Sequence, residues 1–179
     1  MTFKKNTGRL LLFILLIAIM GSCKKDSKPP NNTDNKSFYI KFKLKGVQKQ
    51  YTYNATSLLA KPSVYACSLT AWGSATNTAS VTIGLTDGSA FVTGKTYTEQ
   101  VITVNGITTI QGSLTYKDDD GSTYFASGTT ANTALSLKFT EMADDHFKGT
   151  FTATLLQVGK SPLTYVPVTE GEFYVGRSL

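Results

Sequence analysis

An antiparallel β-sandwich of roughly eight to ten strands is the fold class that this sequence predicts. Three observations predict it. Apolar and polar residues alternate over short runs, which is the period of a half-buried strand. The turn-forming dipeptides Asp87-Gly88, Asn105-Gly106 and Asp120-Gly121 punctuate those runs. Beyond residue 36, no stretch longer than two turns has helical periodicity, so parallel crossover topologies are disfavoured. Periodicity does not say whether the strands close on themselves, and a closed lipocalin-like barrel stands as the alternative.

The N-terminal end is of another kind. Lys4, Lys5 and Arg9 precede the 11 apolar residues Leu10–Met20, which are followed by Gly21 and Ser22. That order of charged, apolar and small residues predicts a secretory signal peptide over residues 1–22. Spanning a bilayer takes about 20 apolar residues, and Lys24 with Lys25 stops this run well short of that. Removing residues 1–22 takes away three of the 18 basic residues and none of the 12 acids, so the formal charge falls from +6 to +3. So small a charge gives no footing for a nucleic-acid partner.

Met20-Gly21-Ser22-Cys23 resembles the lipobox of bacterial lipoproteins. The resemblance implies diacylglycerol on the Cys23 sulfur, cleavage before that residue and acylation of the new amino terminus. The membrane then becomes a partner through lipid, and each buried methylene contributes about 0.8 kcal/mol. Residues 23–36 read as a lipidated disordered tether, because "KKDSKPPNNTDNK" offers no apolar side chain except its proline pair. Cys67 is left without a partner, so no intrachain disulfide is available and the domain over 37–179 rests on its core.

Within that domain, Phe38, Ile40, Phe42 and Leu44 alternate with Tyr39, Lys41, Lys43 and Lys45, a strand with a solvated lysine face. Gly46 permits a turn into "QKQYTY". "NATSLLAK" has the pattern of a single helical turn. "SVYACSLTAW" and "ASVTIGLT" are strand-rich in composition, and "VITV" and "ITTI" flank Asn105-Gly106 as a hairpin. "SLTYK", "STYFAS", "ALSLKFTE", "FKGTFTATLLQ" and "GEFYVG" complete about ten strand candidates.

"FYIKFKLKG" after the tether, "TGKTYT" at 93–98, "FKGTFTATL" at 147–155 and "VTEGEFYV" at 168–175 together resemble a family of small Gram-negative lipoproteins without an agreed activity. The resemblance implies an all-β envelope domain and brings no catalytic residues with it. The absence of aspartate directly after Cys23 implies outer-membrane sorting, with the domain facing the periplasm or the cell surface.

Few residues carry a pattern of chemistry. His146 follows Asp144 and Asp145, which suggests a triad, but no Gly-x-Ser-x-Gly elbow accompanies it and a turn is the simpler reading. Cys67 lies inside an apolar strand pattern and reads as a small buried hydrophobe. Asp118, Asp119 and Asp120 are the densest acid cluster, yet they lack the alternating acids and distal glutamate of a calcium loop, so no metal is expected. Nor does any motif call for a cofactor. Tyr39, Tyr51, Tyr53 and Trp72 are candidates for ligand binding, since exposed aromatics can stack on sugar rings or anchor a protein. The expected function is thus a non-enzymatic, lipid-anchored binding or structural module, its partner a glycan or an envelope protein. A carbohydrate-binding module using exposed aromatics, or a small envelope hydrolase around His146, are the alternatives.

Overall fold

The computed structural model describes residues 37–60, 64–76 and 78–178. Cys23, the signal segment 1–22 and the tether 23–36 lie outside the described residues. Among the described residues there are thirteen strands and no helix. They are β1 Tyr39–Leu44, β2 Val47–Tyr51, β3 Tyr53–Ala60, β4 Tyr65–Trp72, β5 Ser80–Asp87, β6 Thr96–Thr98 and β7 Val101–Val104. β8 Ile107–Ile110, β9 Gly112–Lys117, β10 Thr123–Ser127, β11 Ala134–Met142, β12 His146–Gln157 and β13 Thr164–Ser178 follow.

The all-β sandwich that the alternation predicts is present. Its first layer runs β2-β1-β13-β12-β11-β6 and its second β3-β4-β5-β9-β10, while β7 and β8 form a separate hairpin. The layers are also joined through the backbone at two corners. Gly176–Ser178 of β13 pair in parallel with Thr56–Leu58 of β3, and Leu156 and Gln157 of β12 pair with Phe125 and Tyr124 of β10. β13, β3, β4, β5, β9, β10 and β12 therefore form a closed hydrogen-bonded circuit, and the sandwich carries the closure of the barrel alternative within it. Closure of this kind leaves fewer strand edges open to pairing with other chains.

Strand β1 shows why the sequence folds this way. Ile40, Phe42 and Leu44 are buried, and Phe42 meets Tyr116 of β9 edge-on with ring centroids 5.2 Å apart. Lys45 and Gly46, at φ 52° and 79°, turn the chain tightly into β2. Asn105 and Gly106, at φ 51° and 78°, do the same between β7 and β8.

The long strands β12 and β13 are locked by two reciprocal contacts. Phe173 lies opposite Gly149, and Phe151 lies opposite Gly171. A Cβ on Gly149 would stand 2.3 Å from the Phe173 ring, and one on Gly171 would stand 2.4 Å from the Phe151 carbonyl oxygen. Each strand thus supplies a bare patch for the other's aromatic ring, so "KGTF" and "TEGEF" are two halves of one packing device. Just before Gly171, β13 bulges at Thr169 and Glu170, with Glu170 at φ 52°, and both β1 and β12 shift register across it.

Three local readings are corrected. The "NATSLLA" part of "NATSLLAK" belongs to strand β3 rather than a helical turn, because its Ala55 and Ser57 alternate into the core and its backbone is claimed by β4 and β13; Lys61 lies outside the described residues. "QKQYTY" is not one strand: β2 ends at Tyr51, and the chain passes at Thr52 from the first layer to β3 in the second. Asp87-Gly88 makes no hairpin, since β5 and the next strand lie in different layers. There Asp87 instead accepts from the Gly88 amide at 2.7 Å and pairs with Lys95.

Candidate functional site

Of the four aromatic candidates, two are brought together. Tyr53 and Trp72 are direct register partners across β3 and β4, on the face turned away from the core. Side chains so placed have Cβ atoms about 5 Å apart. Tyr53 is 41% exposed and Trp72 half-buried. Next to them Asn54 takes φ 48° in a bulge, two residues of β3 opposing one of β4, which re-aims the strand end. The segment after β4 folds over this corner: the Gly73 amide donates to the Ala79 carbonyl at 3.0 Å, and the Thr76 amide donates to Ser74 Oγ at 3.3 Å. Tyr53, Asn54, Trp72, Ser74, Thr76 and Thr78 line the resulting open cleft of about 550 Å³. Every lining group is uncharged. An aromatic floor with amide and hydroxyl walls can stack on an apolar ring face and hydrogen-bond a polar rim.

Tyr51 is a correction. It is 4% exposed, and its hydroxyl lies 2.8 Å from that of the equally buried Tyr116, so it is closed to a surface ligand. Alternation alone does not tell which side of β2 faces in, and that strand has only this one buried residue. Tyr39 is half-buried on the outer face of the first layer, edge-on to Tyr174 at 6.2 Å, with the Lys41 ammonium 5.2 Å from its ring centre. The candidate aromatics therefore divide between the two outer faces and do not form a single platform.

His146 opens β12 beside the turn. Its Nδ1 lies 2.6 Å from Asp145 Oδ1 and its Nε2 3.0 Å from Glu141 Oε1. Tyr174 stands edge-on to it at 5.0 Å. With both ring nitrogens engaged by carboxylates, neither faces a nucleophile, and no hydroxyl or thiol among the described residues bonds to the ring. The Lys148 ammonium, 2.7 Å from Glu141, together with the His146 ring holds the Glu141 carboxyl below its ordinary value. Cys67 is a free, buried thiol that burial pushes up to about 12, which leaves it unreactive.

The acidic triplet does not converge on one point. Asp118 bonds Lys49 Nζ at 2.7 Å and the Asp119 amide at 2.9 Å, while Asp120 accepts from the Ser122 amide at 2.8 Å. Burial raises the Asp118 carboxyl, but Lys49, the Tyr116 hydroxyl and the Asp119 amide outweigh it and hold the group below its ordinary value. Lys49, Asp118, Tyr116 and Tyr51 thus form one polar chain that ties the edge strand β2 to β9 in the other layer.

No protein family model, curated protein or solved structure matches this chain.

One arrangement was not legible in the sequence. Thr56, Thr70, Thr82 and Thr115 are successive register partners across β3, β4, β5 and β9, and Phe125 of β10 ends the rank. Ser68, Gly84, Ser113 and Ser127 form a parallel rank from β4 to β10. These residues are scattered along the sequence from Thr56 to Ser127, and only the pairing of five strands aligns them.

Proposed function

We propose that the chain is a non-enzymatic binding module, anchored to the outer membrane by lipid on Cys23 and presenting the Tyr53–Trp72 cleft to its ligand. The membrane part rests on the lipobox-like residues Met20-Gly21-Ser22-Cys23 and the apolar run before them. The binding part rests on one observation, the cross-strand pairing of two outward aromatics beside a bulge, with uncharged polar side chains around them. Within the binding reading a carbohydrate is the favoured ligand, because sugar rings present both the apolar face and the hydroxyl rim that this lining matches.

Two experiments test this. Metabolic labelling with a palmitate analogue should mark the wild-type chain and not Cys23→Ala, and surface proteolysis of intact cells then assigns the leaflet. Label retained on Cys23→Ala would remove the anchor. On a glycan array, binding should fall to background for Trp72→Ala while Tyr39→Ala binds as wild type. The reverse pattern would place the site on the first layer.

A further inference from the structure

The outer face of the second layer differs in kind from the rest of the surface. Its outward positions on β3, β4, β5, β9 and β10 carry serine, threonine, alanine, glycine, Asn54, three aromatics and Leu58, with Lys117 the one charged residue among them. β4 pairs with β5 over eight positions, and β5 with β9 over six, without a register shift. The hydroxyl ranks therefore lie on regular, unbulged sheet, spaced by the strand period along the chain and by about 4.8 Å from strand to strand. Aromatic rings bound this field on opposite sides. Tyr53 and Trp72 stand at the β3–β4 side and half-buried Phe125 at β10.

We propose that this face binds an extended, uncharged polysaccharide lying across β4, β5, β9 and β10. The inference rests on the carbohydrate reading of the Tyr53–Trp72 cleft and adds the length and charge of the glycan. From β4 to β10 is three strand spacings, about 14 Å, so a ligand touching both Trp72 and Phe125 is longer than one sugar ring. Each threonine offers a methyl to the ring's C–H face and a hydroxyl that both donates and accepts. Neutrality selects the partner: an anionic polymer would find only Lys117 as a counter-charge on this face, whereas an uncharged one needs none. A protein partner fits poorly, since protein interfaces are enriched in aromatics, methionine and arginine and depleted in serine. Ser113 Oγ would stand 3.0 Å from a Cβ on Gly84, so the middle of the serine rank stays level.

The test is affinity electrophoresis of the full chain in detergent, in gels containing hydroxyethylcellulose, galactomannan, dextran or xylan as neutral probes and alginate as an acidic one. Mobilities are normalised to a gel without polymer. At least one neutral polymer should retard the wild type and alginate should not. Thr82→Lys, in the middle of the threonine rank, should weaken polymer binding by roughly tenfold or more, because the ligand would desolvate an unpaired ammonium. Disaccharide binding at Trp72 should persist in that variant. Thr115→Lys serves as the second variant, and melting temperature and circular dichroism confirm that each is folded. Should Thr82→Lys and Thr115→Lys bind polymer as wild type while Trp72→Ala does not, the ligand is confined to the cleft and this inference fails with the carbohydrate reading intact. Retardation by alginate equal to that by neutral polymers would overturn it, as would retardation by none. Self-association that Thr82→Lys abolishes, without polymer binding, would assign the face to a second copy and overturn it too.

Discussion

The two outer faces of the sandwich are built on the same alternation and end in opposite chemistry. On the first layer, Lys41 pairs with Glu172 at 2.9 Å, Lys43 with Glu170 at 2.7 Å and Lys148 with Glu141 at 2.7 Å. On the second layer, the corresponding outward positions are nearly all uncharged, with Thr70, Thr82 and Thr115 in register and Lys117 the one charged residue. Both satisfy the rule that a half-buried strand shows polar side chains to water. Only the charged face also carries the usual defence against association, since its lysines and glutamates hold other sheets away. The difference teaches that polar alternation specifies which side is out, and that it leaves the kind of polar residue, charged or neutral, free to differ between the two faces.

The sharpest way to break the comparison is through its glycines. Gly149→Ala in the first layer puts a methyl 2.3 Å from both the Lys138 carbonyl oxygen and the Phe173 ring, neither of which can retreat. The expected loss is about 3 kcal/mol, read as a fall in unfolding free energy by urea titration. Gly84→Ala in the second layer meets only Ser113 Oγ, at 3.0 Å, and a serine hydroxyl can rotate away. That variant should lie within about 0.5 kcal/mol of wild type. Equal losses at the two positions would show that the β12–β13 device carries no special role.

The second perturbation separates the layers at β2. Tyr116→Phe removes the hydroxyl that lies 2.8 Å from Tyr51 and also reaches Asp118, and should cost about 1–2 kcal/mol by leaving buried partners unsatisfied. Hydrogen exchange should rise in β2 while that of β4 and β5 is unchanged. Asp118→Asn attacks the same chain through pH. The Asp118 carboxyl is held low in the folded state, so its stabilisation is complete above the unfolded value of about 4 and is lost as pH falls through the lower folded one. Lys49 is held above its ordinary value by Asp118, so its share is present below about pH 10 and fades as pH rises further. Asp118→Asn should therefore lower the melting temperature at neutral pH and flatten the acid limb below about pH 4. An acid limb identical to wild type would remove the assignment.

How much of this was legible follows from what each feature depends on. Ile40, Phe42 and Leu44, the Asn105-Gly106 hairpin and buried Cys67 are local patterns, and the sequence contains them whole. Tyr51 was misread because a period of two names two faces without saying which is buried, and β2 lies at an edge with little apolar content to decide it. "NATSLLAK" reads as helical because Ala and Leu favour helices locally, and the pairing that overrides them over Thr56–Ala60 comes from residues 66–70 of β4 and 176–178 of β13, the latter far along the chain. The Tyr53–Trp72 pair was half legible: both residues were candidates, but their adjacency needs the Asn54 bulge. The threonine rank was not legible at all, since it exists only in the register between strands.

The smallest expected effect sharpens the comparison most directly. Lys43 and Glu170 are solvated, with side chains 35% and 65% accessible, so their pairing gains little over hydration and is screened by ions. A double-mutant cycle of Lys43→Ala and Glu170→Ala should give a coupling of a few tenths of a kcal/mol at low salt. It should approach zero near 1 M salt, where the screening length is about 3 Å. Retardation by the neutral polymer should stay constant over the same salt range, because an uncharged ligand forms no ion pair with the second layer's face. If the coupling resists salt, the first layer's ion pairs belong to a desolvated network and that face is no longer a simple solvated one. If polymer binding falls with salt, the second layer's face is not acting as a neutral surface, and the contrast between the two loses its chemical basis.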